Sequence, residues 1–467
     1  MIEGLKPYGK YKNSGQLWLG MVPEHWLLMP NRAIFDEVKD RNHPKEEMLS
    51  VTITRGIVRQ KALLAGSSKK DSSNLNKDAY KLVQPQDIAY NKMRAWQGAL
   101  GASSMRGIIS PAYVVMRPRS QAISLFYHHL YRTPLFSKEA ERWSYGITSD
   151  MWSLRPEHFK VIGSILPPMG EQAAIVRFLD HANQKIDGFI RAKRKLISLL
   201  NEQKQAIIHH AVTRGLNLDV ALKPSGIPWL GDIPKHWVLQ QLRRVCRKIK
   251  TGGTPKGVDE SYFKVGGFNW HTPSDFRDAI ELGDASRQLS KLGVNQVNVF
   301  PAETILMIGI GATIGKVSIS RKSCSCNQQI NAIIPNATLV HLDFLAFYLR
   351  TLRTFIFDCG NFTTMPIINQ DETKRLPVAI PPMSEQIEIA NYIKHASKPI
   401  TEAIARTERE IILMQEYRTR LTTDIVTGKL DVREAAAKLP DEVLLEITEE
   451  PIDFGDEVDF TDEEIDA

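Results

Sequence analysis

Nucleophiles, phosphate cradles and metal sites each need particular residue types at particular spacings, and the 467-residue chain offers several patterns to test. Gly309-Ile310-Gly311-Ala312-Thr313-Ile314-Gly315-Lys316 has the glycines and lysine of a phosphate-binding loop. A P-loop needs glycine five residues before its Gly-Lys pair, and Ile310 stands there; Val317 replaces the hydroxyl residue that would hold magnesium. The dinucleotide pattern fails too, because the third glycine comes one residue late. Tight strand connections account for these glycines better than a nucleotide does. Glu372-Thr373-Lys374 matches the E-x-K fragment of many nucleases, but three residues recur often by chance. His128-His129 and His209-His210 are adjacent pairs, whose side chains diverge by about 100° on a helix and do not share a metal easily. Cys324 and Cys326 form C-x-C without a second pair at zinc spacing. With Cys246 and Cys359 they are expected to be reduced, partly buried thiols. No methyltransferase N/D-P-P-Y motif and no Ser/His/Asp arrangement is present. The chain is therefore expected to carry no catalytic centre and no metal of its own.

Charge points to binding instead. The formal net charge is +7, but Asp441 to Ala467 holds thirteen acidic residues and no Lys or Arg, which leaves +20 on residues 1 to 440. A body that basic favours a polyanion, nucleic acid before anionic membrane. Loops such as Arg55-Gly56 and Thr251-Gly252-Gly253-Thr254-Pro255-Lys256 let backbone amides and a cation approach a phosphate. Hydrophobic residues at 43% and charged residues at 24% fit a folded chain. No run of about 18 apolar residues suggests a membrane helix. The N-terminus lacks a secretory apolar core, so a cytoplasmic location is expected.

The elements that would position such loops come in two copies. Ser14-Gly15-Gln16-Leu17-Trp18-Leu19-Gly20-Met21-Val22-Pro23-Glu24-His25-Trp26 returns as Ser225-Gly226-Ile227-Pro228-Trp229-Leu230-Gly231-Asp232-Ile233-Pro234-Lys235-His236-Trp237. Leu166-Pro167-Pro168-Met169-Gly170-Glu171-Gln172 returns as Ile380-Pro381-Pro382-Met383-Ser384-Glu385-Gln386. A repeat of about 210 residues is far longer than a solenoid period. It is a duplicated domain pair, and the two globular parts share almost no identity. The frame is duplicated and the filling has diverged. The paired tryptophans read as core and hinge packing rather than as base-stacking groups.

Each Pro-Pro pair marks the entrance to a long helix, since proline is tolerated before a helix and excluded from its interior. Ile175, Leu179, Ile186, Leu196 and Leu200 in the first, and Ile389, Ile393, Ile400, Met414 and Leu421 in the second, follow coiled-coil spacing. The two helices, each about 65 Å long, are expected to pair antiparallel, with a possible kink at Pro399. The globular parts read as mixed α/β: strands over 48–54, 112–116, 304–308, 315–319 and 331–334, and helices over 125–136 and 342–357.

This organisation resembles the specificity subunit of type I restriction–modification systems, over nearly the whole chain from Ser14 to Leu430. Trp18 to Trp26 with its copy, the two P-P-M-x-E-Q helix entrances, Tyr90 to Ala99, and Gly311 to Lys316 with Cys326 to Asn331 carry the likeness. The resemblance implies an α/β (α+β) fold with two target recognition domains, 1–160 and 223–375. A central helix and linker (161–222) and a distal helix (376–430) would form the coiled coil; 431–467, read from its residues as an acidic, flexible tail, departs from the family core. Each domain would read half of a gapped, asymmetric site on double-stranded DNA. The helices would set the gap and dock two methylation subunits, joined by restriction/translocase subunits. S-adenosylmethionine, ATP and magnesium would belong to those partners, and none to this chain.

Phosphate anchors and base readers are then sought among Arg55, Arg59, Lys92, Arg94 and Gln97 in the first domain. In the second they are sought among Gly253, Thr254, Lys256, Lys316, Asn327, Gln328 and Gln329. Asn327 to Gln329 have a structural alternative as capping groups. The tail, with apolar residues between its acids, is a solvated segment or one that docks on a basic groove. Two other classes stay open: a coiled-coil scaffold, and a DNA-binding protein with an unrecognised nuclease or methyltransferase site.

Overall fold

A computed structural model of the chain describes residues 5–64, 77–146, 151–256, 260–277, 279–353, 355–356 and 367–440. Two long helices dominate it, Met169–Arg214 and Met383–Val426, each opening directly after its Pro-Pro pair. The second continues through Pro399 as one element. The chain divides into two compact units: one runs to Phe189 and resumes at Leu413, and the other spans Ile190–Ile412. Each long helix therefore contributes to both units.

In the first unit, four antiparallel strands lie in the order Phe35–Val38, Tyr113–Pro118, Ile88–Asn91, Leu100–Ala102. In the second, the order is Cys246–Thr251, Ile330–Pro335, Thr304–Ile308, Val317–Ser320, again antiparallel. Domains with almost no sequence identity thus share one sheet order. The framing ladder is shared as well: Leu27 pairs with Leu166, and Val238 pairs with Ile380. The strand expected at 315–319 begins at Val317, after the Gly311–Lys316 turn. The single helix expected over 125–136 is two, Ser124–Tyr131 and Pro134–Trp143. Pro134 removes an internal N–H and starts a new helix, which Thr133 caps by accepting from Phe136 N–H.

The repeated motifs build a clamp in each unit. Glu171 Oε2 accepts from Trp26 Nε1 at 3.0 Å and lies 2.8 Å from His25 Nε2. Glu385 takes the same two partners, Trp237 at 3.0 Å and His236 at 2.8 Å. Gln172 accepts from Ile123 N–H at 2.8 Å and donates to Pro167 O at 2.8 Å; Gln386 bonds His341 N–H at 2.7 Å and Pro381 O at 2.9 Å. The Glu-Gln pair at each helix entrance thus ties the helix to its own globular domain. Trp26 and Trp237 are fully buried, as core residues rather than stacking surfaces.

A helix ending closes each clamp from the other copy. In the first unit Gly428, at φ +77°, lies so near that an added Cβ would come 2.3 Å from Pro23 Cδ and 2.9 Å from Trp26. In the second, Gly215, at φ +75°, packs against Glu385 and Trp237. A left-handed glycine ending a helix is common; here the missing side chain also makes room for the tryptophan. Beyond Gly428 the chain returns to its beginning: Asp431 N–H donates to Lys6 O at 2.8 Å, and Val432 and Ala436 are buried. Residues 431–440, assigned on sequence to the flexible tail, are thus part of the first unit's core. Small apolar residues between charges, next to the acidic block, concealed them. The acidic stretch 441–467 lies outside the described residues.

Helix pairing is antiparallel, and each unit shows it separately. In the first, Ile175, Leu179 and Ala182 share a core with Leu421 and Ile425, and Arg418 donates to Asp187. In the second, Lys193 Nζ meets Glu410 Oε2 at 2.7 Å and Lys204 Nζ donates to Thr401 Oγ1 at 2.9 Å. Eleven residues forward on one helix correspond to nine back on the other. Ile186, Ile190 and Ile400 are buried, and Ile389 and Ile393 lie in the second core; Leu200 and Met414 are half-buried. Leu196, expected in the seam, is 41% exposed. Strict seven-residue spacing carried along the helix drifts off the inward face, because the helix period is 3.6 rather than 3.5. Ile190, Lys193 and Ile197 hold the less exposed face there instead.

Candidate nucleic-acid interface

In the first unit the hairpin Leu49–Thr52/Gly56–Arg59 presents Arg55 in its exposed turn, where Arg55 N–H donates to Thr52 Oγ1 at 3.0 Å. Gln97 is exposed on a short helical turn, Ala95–Gln97, that follows Lys92 and Arg94. Arg132, from the helix end behind them, binds both turns. Its guanidinium donates to Ile53 O at 2.8 Å and Thr54 O at 2.7 Å on one side, and to Leu100 O at 2.8 Å and Gly98 O at 3.2 Å on the other. Burial lowers its pKa to about 10. His128 fills the space beside Gly56 and Gly101, and its Nδ1 accepts from Ala102 N–H at 3.2 Å. Burial first, then the neighbouring His129 and Arg132, pushes His128 well below its ordinary value, so it stays neutral.

Arg55 and Gln97 are therefore brought onto one edge by Arg132, a residue that sequence reasoning missed. Nothing in a helix C-terminus of mixed composition distinguishes an arginine that will bind carbonyls from a solvated one. Arg59 stands at the far end of its four-residue strand, roughly 13 Å from the turn, and lies 3.6 Å from Glu47. It does not join Arg55. Lys92 lines a cavity of about 540 Å³ with Tyr145, Arg155 and Glu157, and its carbonyl accepts from Leu154 N–H. Arg94 is half-buried at the base of the turn.

The second unit builds its edge from backbone and polar side chains. Gly252 sits so close to the 326–327 strand end that a Cβ would come 2.2 Å from Cys326 O; Gly253 N–H donates to that same oxygen at 2.8 Å. Thr254 Oγ1 donates to Gln328 Oε1, joining two exposed side chains from separate loops. Asn327 is 9% exposed, with Oδ1 accepting from Gln329 N–H and Nδ2 donating to Gln329 Oε1. It is a capping group, and Gln328 is the outward one. Lys256 is exposed, and half-buried Lys316 ends the turn between Thr304–Ile308 and Val317–Ser320. That turn matches the place of Lys92 and Arg94 in the first sheet.

Three residues near this edge gave no motif signal: Phe263, Trp270 and Arg287. Arg287 Cζ stands 4.1 Å from the Phe263 ring centroid and 5.3 Å from that of Trp270. Trp270 Nε1–H donates to Gly253 O at 2.9 Å, so the aromatic pair and the glycine loop are one assembly. Next to them His271 is fully buried with neither ring nitrogen hydrogen-bonded, and burial lowers its pKa.

The sequence patterns set aside for catalysis have local structural roles. Glu372 is half of a capping box with Asn369, and Lys374 pairs with Asp371 at 2.9 Å. Cys324 and Cys326 are buried and Cys246 half-buried, all three free, with burial pushing Cys246 up to about 12. Cys359 lies outside the described residues. Among the described residues no cluster of His, Cys, Asp and Glu could hold a metal ion, and no helix is long and apolar enough to cross a membrane.

Residues 234–412 match a family model described as the type I restriction modification DNA specificity domain. A Methanocaldococcus jannaschii protein assigned as the MjaX type I restriction enzyme specificity subunit is 24% identical, across 92% of this chain and 99% of its own. The EcoKI specificity subunit of Escherichia coli K12 is 20% identical, across 88% and 94%. A chain solved in work on the assembly and conformational transition of the type I R-M system superposes with a TM-score of 0.64 at 15% identity, covering 88% of this chain and 99% of that one. That likeness carries the fold.

Proposed function

The chain belongs to the specificity subunits of type I restriction–modification systems, and from that premise we propose that its two units each read one half of a gapped, asymmetric DNA site. The observation that carries this reading is the pairing of a common frame with unrelated edges. Both units have the same sheet order and the same His–Glu–Trp clamp. Their exposed edges differ in every candidate reader: Arg55 and Gln97 in one, Thr254, Lys256 and Gln328 in the other. Equivalent frames present readers in equivalent ways, and different readers select different bases.

Affinity comes from the basic body through phosphate contacts, and discrimination from side chains that reach base edges. The paired helices set the distance between half-sites and offer two similar docking surfaces for two methylation subunits, with restriction/translocase subunits joining that core. S-adenosylmethionine, ATP and magnesium are used by those partners, and this chain contributes recognition without catalysis. Co-expression with the cognate methylation subunit, followed by mapping of modified adenines across the host DNA, tests the reading. One two-part gapped motif is expected, altered in one half by changes in one unit. Unmodified DNA despite a stable complex with a confirmed active methylation subunit would overturn it.

A further inference from the structure

Arginine reads guanine best when its planar fork is already fixed, because two parallel N–H bonds to O6 and N7 need one orientation of the guanidinium. An exposed arginine ordinarily samples many rotamers. Arg287 is exposed and nevertheless held, over the faces of Phe263 and Trp270, whose centroids are 5.8 Å apart and whose planes are inclined at 63°. No ion pair engages it among the described residues. The strand carrying the two aromatics is shaped to hold that stack. Phe263 and Phe268 both lie opposite Leu289, the mark of a bulge, and Gly266 turns at φ +74° with its N–H donating to Gln288 Oε1 at 2.6 Å. Gly267 has no room for a side chain, since a Cβ would come 2.3 Å from Leu289 O. Within the bulge Lys264 is exposed and Val265 is 98% exposed.

We propose that Arg287 is a base reader of the second unit, donating from its guanidinium to O6 and N7 of a guanine in the half-site this unit recognises. The assignment rests on the DNA-reading function above and names a residue and a base for it. The division of labour follows from side-chain chemistry. Lys256, a flexible point charge beyond the Gly252-Gly253 turn, suits a phosphate. Arg287, a planar fork already oriented by two rings, suits a base edge. Trp270 couples the two through its bond to Gly253 O.

The test compares methylation motifs of the complete complex containing the wild-type chain, Arg287→Ala, Arg287→Lys or Phe263→Leu. The wild-type motif should contain a required G·C pair in the half-site assigned to the second unit. Discrimination at that pair should fall by roughly tenfold to a hundredfold in both Arg287 variants. It should fall less in Phe263→Leu, with the other half-site unchanged in all three. Arg287→Lys keeps the charge, so it decides the matter even if Arg287→Ala assembles poorly. An unchanged motif in Arg287→Lys, or a loss of binding equal on all sequences with a shallower salt dependence, would overturn the assignment and make Arg287 a phosphate contact. A wild-type complex that produces no two-part motif would defeat the DNA-reading function itself, a result separable from the variants.

Discussion

Glu171 and Glu385 hold the same place in the two clamps and bond the same His–Trp pair, yet they stand at different depths. The Glu171 side chain is 3% exposed and that of Glu385 is 24% exposed. The extra cover comes from the two ends of the chain. Tyr8 packs edge-on against Trp26 at 5.7 Å, and Arg433 reaches over the Tyr8 ring to within 3.5 Å of Glu171. Burial and the neighbouring Glu171 push the Tyr8 phenol up, so it stays protonated. The second clamp, lying mid-chain, has no terminal segment folded over it among the described residues. A duplicated motif thus preserves bonding partners, while depth depends on which other segments reach the site.

The candidate edges differ further, and that difference can be broken first. The first unit's edge hangs on Arg132, whereas the second is joined by Gly253 N–H to Cys326 O and by Thr254 to Gln328. Arg132→Met should cost about 3 kcal/mol locally, because four carbonyls, two of them on the buried residues Gly98 and Leu100, lose a charged donor. Hydrogen exchange in 52–56 and 97–100 should accelerate about a hundredfold, with the 252–254 and 326–329 segments unchanged. Equal acceleration in both units would show that the edges are not independent.

The clamps come next in size. Glu171→Ala leaves the Trp26 N–H buried without an acceptor and should cost about 2 to 3 kcal/mol. Glu385→Ala, with water within reach, should cost about 1 kcal/mol after allowance for screening. Unit-resolved denaturant melts would read both, and equal losses would remove depth as the distinction.

The last effect is on pH. His128 and His271 both have folded-state pKa values lowered by burial, so each contributes stability that is complete above the unfolded value, near 6.5. Below it the unfolded chain binds more protons, and stability should fall by at most about 1.4 kcal/mol per pH unit for each histidine. His128→Gln should flatten the acid limb of the first unit alone, and His271→Gln that of the second. Melts at pH 7 and pH 5 would show whether either slope persists in its variant.

Much of this was legible in the sequence because it is written in local chemistry. Pro167-Pro168 and Pro381-Pro382 fix helix entrances whatever the surroundings, and the strand at 304–308 has its expected ends. The repeat of Trp, His, Glu and Gln marked the frame. What escaped was set by packing between distant segments. Leu196 has the right spacing and the wrong face, since the inward face depends on where the partner helix lies. Arg55 and Gln97 were plausible separately, but Arg132, remote in sequence from both, bonds their two turns together. Phe263, Trp270 and Arg287 have no characteristic spacing, and a bulged strand makes them neighbours.

By itself the sequence determined the duplication, the helices, the basic body and the absence of a recognisable catalytic motif, because repeats, proline punctuation and charge are properties of the chain read in order. The tertiary structure decided which helix end closes which clamp, that residues 431–440 return to the first unit, and which polar residues face outward. Those outcomes depend on close approach between segments tens to hundreds of residues apart, where a glycine without a Cβ or one guanidinium among carbonyls sets the geometry. A linear pattern holds no record of such approaches.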